Sequence, residues 1–429
     1  MNVPARTSAA APASRPHVAF VNRSYWPDTE ATGQLLTELC EELAGRYRVT
    51  ALCGLPNKTF EADALAETER HGVSIRRVGH TRYAKRHRLG RILNWLTFGG
   101  KALWSGLWMK RPDVLVVETD PPFLCVVGRL LAWRHRCKLT IYLQDIYPDI
   151  AVALKALPEG MFAAALRKLF RATYRSADRV VVLSADMRKF LVTQGFSEER
   201  IDIVPNWIDS ALVKPQVGPN AFRAAHGLDG KFVAMYSGNL GNAQQLEHVV
   251  EAARRLQSHD DIRFVFVGDG AQRPELEAAA AGLPNVSFHD YQPKHLLGQS
   301  LSAADVQLIP LHPSVTPYMM PSKLYGVLAA GVPALVAAPY DCELAHIVRT
   351  HQCGLVAPPD DPEALVRVLL EASQNRERLR AMGANGRRLA EERYDRSVGT
   401  GRFAALLEGL LAAPAESALR LPVPETVAR

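Results

Sequence analysis

The chain has 429 residues, 48% hydrophobic and 22% charged, a length for two or three domains and a composition that excludes a largely disordered protein. Its formal charge of +7 is a local feature: eleven Lys/Arg and no Asp or Glu fall from Arg70 to Arg111, leaving 40 basic against 44 acidic residues elsewhere. A basic patch so confined, holding Trp95, Trp104 and Trp108, points to an anionic partner such as phosphate, a lipid surface or nucleic acid.

Residues 1–16 are rich in Ala, Pro and Ser without an apolar core, and read as a disordered tail rather than a signal peptide. The stretch Ile92–Met109 carries Lys101 at its centre and three glycines, too polar for a spanning helix. The expected location is therefore the cytoplasm, with peripheral contact on the inner face of the plasma membrane. The six cysteines lack metal-binding spacing, and Cys40 and Cys53 sit in apolar runs as buried thiols.

In chain order, apolar strands are predicted at 17–23, 48–55, 73–79, 113–119, 138–145 and 178–184, with helices between them such as 31–45 and 159–175. The run 201–209 closes this half, and a Pro/Gly-bearing loop covers about 210–225. The pattern then restarts, with strands at 232–238, 262–268, 286–291, 305–311 and 333–339. Helices follow at about 243–257, 272–282, 322–331, 362–373 and 376–392. Near-continuous Val/Ile/Leu strands alternating with helices predict parallel sheets covered on both faces. The fold class is α/β: two Rossmann-like, doubly wound domains, 17–212 and 213–395, facing across a cleft. A helix at 396–412 belongs to neither sheet by pattern, and a flexible Pro/Ala-rich tail spans 413–429.

Ligands in such folds bind beyond the carboxyl ends of the strands, so the loops there carry the chemistry. The first strand runs into a loop without GxGxxG; Gly33 begins the next helix with Thr32 as its cap, serving either ligand approach or a simple turn. The loop SGNLG places Gly238, Asn239 and Gly241 before a helix, an arrangement suited to a diphosphate but shared by many turns. In FVGDG, Asp269 lies between Gly268 and Gly270 and can accept a hydroxyl or cap the following helix. Pro321, Ser322 and Lys323 open another helix, where a lysine is electrostatically disfavoured unless an anion lies between. In YLQDIYPDI, Asp145 and Asp149 are either acid–base groups or loop-holding side chains. The basic loop Arg82–Arg91 and the amphipathic helix of about Leu89–Met109 form a crossover helix that can also settle on an anionic bilayer. No RNP, KH or helix-turn-helix signature supports nucleic acid.

Together, YWPDTEATGQLLTELCEELA, TDPPF, LQDIYPDIAVAL, IVPNWID, YSGNLG, FVGDG, SAADVQLIPL and MPSKLYGVLAAGVP, in this order over residues 17–395, resemble glycosyltransferase family 4, the retaining GT-B enzymes. The likeness is to the branch that builds bacterial capsule, exopolysaccharide and O-antigen sugars. It implies a nucleoside diphosphate-sugar donor, UDP before GDP, in the second half and a lipid-linked saccharide acceptor in the first. By position it implies that Gly33 lies near the donor phosphates and that Gly238, Asn239 and Gly241 lie beneath the diphosphate. Gly268 and Gly270 would border the nucleoside, with Lys323 as the cation. Two departures stand out. The family's Glu pair would fall on Tyr318 and Gly326, and its His-Asp pair is Gln144-Asp145 here. No metal is expected, since no Asp-x-Asp loop follows a strand; charge on the departing diphosphate falls to Lys323 and the helix starts at Gly241 and Ser322, and Asp145 orients a sugar. A nucleotide-sugar 2-epimerase and a non-catalytic nucleotide-binding partner are the alternatives.

Overall fold

A computed structural model describes residues 15–28, 30–56, 68–83 and 88–412. The calls on the two tails therefore fall almost wholly outside the described residues, as does most of the basic loop before Arg88.

The first sheet contains β1 (His17–Val21), β2 (Arg48–Gly54), β3 (Glu69–Arg70), β4 (Val73–Val78), β5 (Val114–Glu118), β6 (Lys138–Tyr142), β7 (Arg179–Val182) and β8 (Ile201–Ile203). Their order is β3-β4-β2-β1-β5-β6-β7-β8, parallel except for the short β3. The second sheet contains β9 (Phe232–Ser237), β10 (Ile262–Val267), β11 (Val286–His289), β12 (Val306–Pro310), β13 (Ala334–Ala337) and β14 (Gly354–Ala357), ordered β11-β10-β9-β12-β13-β14. Both wind outward from their first strand, so each has a switch point, between β1 and β5 and between β9 and β12. Every residue of β1, β5 and β12 is buried, as expected of strands covered on two faces. All six cysteines are free and buried.

Register assigns the helices to faces. Phe20 pairs with Val116, and Glu118 pairs with Tyr142, so these side chains share one face of the first sheet. On that face lies the helix Arg396–Ala412, whose Phe403 ring sits 6.1 Å from Phe20 and 5.4 Å from Tyr142. The last helix thus returns to the first half. On the opposite face, Gly128 lets the helix Leu124–His135 close onto Val117, where a Cβ would collide with the valine side chain.

The chain consequently crosses between halves twice. The crossings run side by side, joined by Ile208 N–H to the Tyr394 carbonyl and Arg396 N–H to the Ile208 carbonyl, each at 2.9 Å. Trp207 anchors the first crossing, donating from its indole to Glu38 at 3.0 Å.

Candidate active site

The loops after β9 and β10 meet backbone to backbone. Gly268 has φ 141°, and a Cβ there would overlap the Gly238 carbonyl; a Cβ on Gly270 would overlap that of Leu240. The contact is held by Gly238 N–H to the Val267 carbonyl at 2.8 Å and Leu240 N–H to the Asp269 carbonyl at 3.0 Å. Asp269 itself is exposed and accepts from its neighbour Gly270 N–H at 2.8 Å. It does not cap the helix Arg273–Ala279, which starts without a side-chain cap.

The helix expected to begin at Gly241 begins later. Gly241 precedes a single 3₁₀ turn, Asn242–Gln244; Gln245 takes a left-handed conformation and the α-helix runs Leu246–Arg255. Asn239 is exposed at the loop tip, its carbonyl accepting from the Tyr236 hydroxyl. Gln244 is buried beneath, and its side-chain oxygen has no partner among the described residues.

Lys323 opens the helix Lys323–Ala329, and Ser322 precedes it in helical conformation without a capping bond from its hydroxyl. The lysine chain passes directly under Gly238, whose φ of 137° and missing side chain make room for it. Its ammonium stands 4.6 Å from the centre of the Tyr236 ring, and among the described residues no carboxylate pairs with it. Burial pulls its pKa down to about 8. A cation beneath a glycine loop with no counter-charge among the described residues can receive an anion.

Across the cleft, the first half supplies carboxylates. Burial, with the nearby charge of Asp120 second, raises the Asp145 carboxyl to about 6, and no hydrogen bond to the carboxyl is made among the described residues. Its backbone bridges to Met319, and Ile146 N–H donates to the Tyr318 carbonyl at 2.9 Å, which sets Asp145 against the Lys323 loop. Gln144 turns inward instead. Its amide nitrogen donates to Glu118 at 3.4 Å and its oxygen accepts from Asn206 at 3.3 Å, so both ends are held within the first half. Asp149 is structural, paired with Arg167 at 2.8 Å and Arg171 at 3.5 Å.

The helix starts at Ala31, as the 31–45 pattern predicted and not at Gly33, with Glu30 before it, so Thr32 is no cap. Gly33 lies in the first turn, where a Cβ would come within 3.1 Å of Ser24 Cβ, and it admits the loop after β1. That loop holds Arg23 between Asp120 at 2.8 Å and Glu30 at 3.3 Å. Arg23, Asp120 and Glu118 were not singled out from the sequence; the signal was the charged triplet Glu118-Thr119-Asp120 ending a wholly apolar strand. Burial, reinforced by Asp120, pushes the Glu118 carboxyl up to about 8.

Where the family places its first Glu, Tyr318 stacks its ring on the edge of Phe190 across the cleft, centroids 4.9 Å apart. Gly326, at the second Glu position, has room for a side chain, with only Leu301 at 3.5 Å. Beyond this contact, two helix starts meet head to head: Glu343 accepts from Ala185 N–H, and Asp186 accepts from Glu343 N–H at 2.7 Å.

Two facing Rossmann-like halves with an unpaired lysine at their junction are the GT-B architecture. Models described as "Glycosyl transferases group 1" and "Glycosyl transferase 4-like domain" match residues 220–389 and 31–207. The chain belongs to glycosyltransferase family 4 and is a transferase. It is 28% identical over 309 residues to the probable glycosyltransferase WbjE of Pseudomonas aeruginosa, covering 70% of this chain and 76% of that protein. It is 28% identical over 296 residues to the putative colanic acid biosynthesis glycosyl transferase WcaI of Escherichia coli K12, covering 66% and 72%. Among solved structures, Anabaena HepE in complex with UDP superposes with a TM-score of 0.69 at 15% identity, over 92% of this chain and all of that one. WaaG, a lipopolysaccharide glycosyltransferase, gives 0.65 at 18% identity, over 91% and 100%.

Proposed function

We propose that this enzyme transfers a sugar from a nucleoside diphosphate-sugar, UDP in preference to GDP, to a hydroxyl of a lipid-linked saccharide during cell-surface polysaccharide assembly. The anomeric configuration is retained. The observation that carries the reading is Lys323, a half-buried ammonium under the Gly238 loop with no carboxylate partner among the described residues. The names of WbjE and WcaI, and the UDP and UDP-glucose complexes of HepE, support the donor class and the biological setting.

The glycosidic bond to the diphosphate breaks, with its electron pair leaving on a phosphate oxygen. Lys323 and the backbone N–H groups at the start of its helix stabilise that charge, and do so most where it is greatest. The acceptor oxygen bonds to the same face of the sugar carbon, and its proton passes to the leaving phosphate oxygen. Asp145, ionised at neutral pH and without a hydrogen-bond partner for its carboxyl among the described residues, orients the sugar by accepting its hydroxyls. Gly238, Gly268 and Gly270 keep the loop floor flat, Asn239 and Gly241 border the phosphates, and Gly33 keeps the opposite loop close. With Gln144 turned inward, its side chain does not take the place of the family's His at the donor sugar.

Calorimetry with UDP and GDP tests this directly. Binding of one of them, weakened at least about tenfold by Lys323→Ala, is the expected result. Unchanged binding in the variant sinks the donor-site assignment, and no binding to either nucleotide leaves the reading without its donor.

A further inference from the structure

The amino edge of the second sheet, at the opposite end from the Gly238 and Gly268 loops, holds a cavity of about 290 Å³. It is walled by the segment from Pro215 to Asn220, by the residues just before β12 and β13, and by the start of the helix Arg376–Leu389. Pro215, Val332 and Leu379 give it an apolar side, and its charged lining is Arg223, Arg376, Arg380 and Asp305. Three cations thus face one carboxylate.

That carboxylate is already engaged. One Asp305 oxygen accepts from Val233 N–H at 2.8 Å and lies 3.3 Å from Arg223, and the other stands 3.5 Å from Arg376. Arg223 is engaged as well, donating to the carbonyls of Ala303 at 2.8 Å and Leu228 at 3.0 Å, and to that of Lys231. Among the described residues, Arg376 has beyond Asp305 only the Phe232 ring, 5.9 Å away, and Arg380 has neither a hydrogen bond nor an ion pair. These two arginines lie one helical turn apart, so like charges are stacked on one face of their helix. The arrangement is unfavourable unless an anion lies between the guanidinium groups. Arginines of the same helix that do not line the cavity find carboxylates: Arg378 pairs with Glu371 at 2.8 Å and Arg387 with Glu391 at 2.7 Å.

We infer that this cavity is a second anion site, which takes a phosphate-bearing ligand between Arg376 and Arg380. Planar guanidinium groups match phosphate oxygens and can each give two parallel bonds. The cavity is larger than a bare phosphate needs, and its apolar side leaves room for the body of a small phosphate ester. The strand β12 has five residues, so about 17 Å separates Asp305 from the carboxyl edge where Lys323 lies. The two sites can therefore be filled together. This inference goes beyond the donor and acceptor proposed above and depends on neither.

Calorimetric titration of the full chain with inorganic phosphate and with glucose 1-phosphate tests it, the pair separating a free-phosphate site from an ester site. The titrations are run on the wild type and in a Lys323→Ala background, so that the donor site cannot answer for the cavity. Saturable binding of at least one ligand is expected in both. Adding Arg380→Glu should weaken it at least about tenfold and remove the rise in melting temperature that the ligand gives. Arg380 is exposed and unpaired among the described residues, so the variant should melt like its parent without ligand. Arg388→Glu makes the same charge change at an exposed position of the same helix outside the cavity, and should bind like its parent. No saturable binding of either ligand up to about 10 mM in the Lys323→Ala background overturns the inference. So does undiminished binding with Arg380→Glu, or an equal loss with Arg388→Glu, which reduces the effect to general charge. UDP calorimetry on the wild type reports the donor site separately, so either reading can fail alone.

Discussion

The carboxyl edges of the two sheets share one pattern of winding yet are built oppositely. At β9 and β10, backbone packs on backbone through Gly238, Gly268 and Gly270, and beneath lies Lys323, with no carboxylate partner among the described residues. At β5 and β6, side chains do the packing: Glu118, Gln144 and Asn206 form a buried chain, and the free group is the carboxylate of Asp145. A repeated fold thus has a positive side and a negative side, which the proposed function gives to a departing anion and to sugar hydroxyls.

The sharpest way to break this division is to remove its cation. Lys323→Ala should lower kcat/KM by about 10³-fold, and Lys323→Arg should restore only part, because the passage under Gly238 fits a linear chain. In the wild type, donor affinity should fall as pH rises through about 8, where the ammonium loses its proton. A flat affinity profile from pH 7 to pH 9 argues against a charged role.

On the negative side, Asp145→Asn should cost about 10²-fold in kcat with little change in nucleotide affinity. Activity in the wild type should decline as pH falls through about 6, as the carboxylate is protonated, and the variant should lack that limb. An equal loss of nucleotide affinity would move Asp145 to the donor phosphates and erase the contrast.

The supporting chain gives a smaller, thermodynamic effect. Glu118 has a folded pKa of about 8 against an ordinary value of 4.5, so at neutral pH the folded state holds a proton that the unfolded chain releases. Stability should therefore fall as pH rises from the carboxylate range to about 8. Glu118→Gln should remove that slope, gaining on the order of 2 kcal/mol at pH 8 and nothing at pH 4, read from urea midpoints. A wild-type slope in the variant would exonerate Glu118.

The smallest effect concerns how the two sides are held together. Asp186→Ala with Glu343→Ala removes both reciprocal bonds between helix starts and should favour the open arrangement by about 1–2 kcal/mol. A larger radius of gyration in solution scattering is the expected sign. An unchanged radius would place the closing force in the Tyr318 contacts instead.

Both sheets and their parallel, doubly wound character were legible because the strands are short apolar runs between amphipathic helices. The strand β14 was not, since Gly354–Ala357 is four residues without alternation. Glycine loops were legible as positions, but not their reason: Gly268 is fixed by a carbonyl 30 residues earlier. The same distance problem hid the fate of Gln144, whose partners Glu118 and Asn206 lie 26 and 62 residues away. Lys323 was readable from the conflict between its charge and a helix start, whereas its burial under Gly238 required the fold. The start of the helix at Leu246 escaped because nothing in the sequence marks Gln245 as left-handed.

The paired crossings at Ile208 and Tyr394–Arg396 have a consequence for synthesis. The second half is a guest inserted between the body of the first half and its last helix. During translation, the face of the first sheet bearing Phe20, Tyr142 and Glu118 stays partly uncovered until Phe403 arrives, some 190 residues after the first half is otherwise complete. The host therefore finishes after its guest, and removing residues 396–412 should leave a chain that still folds its nucleotide half but aggregates through the exposed sheet of the other.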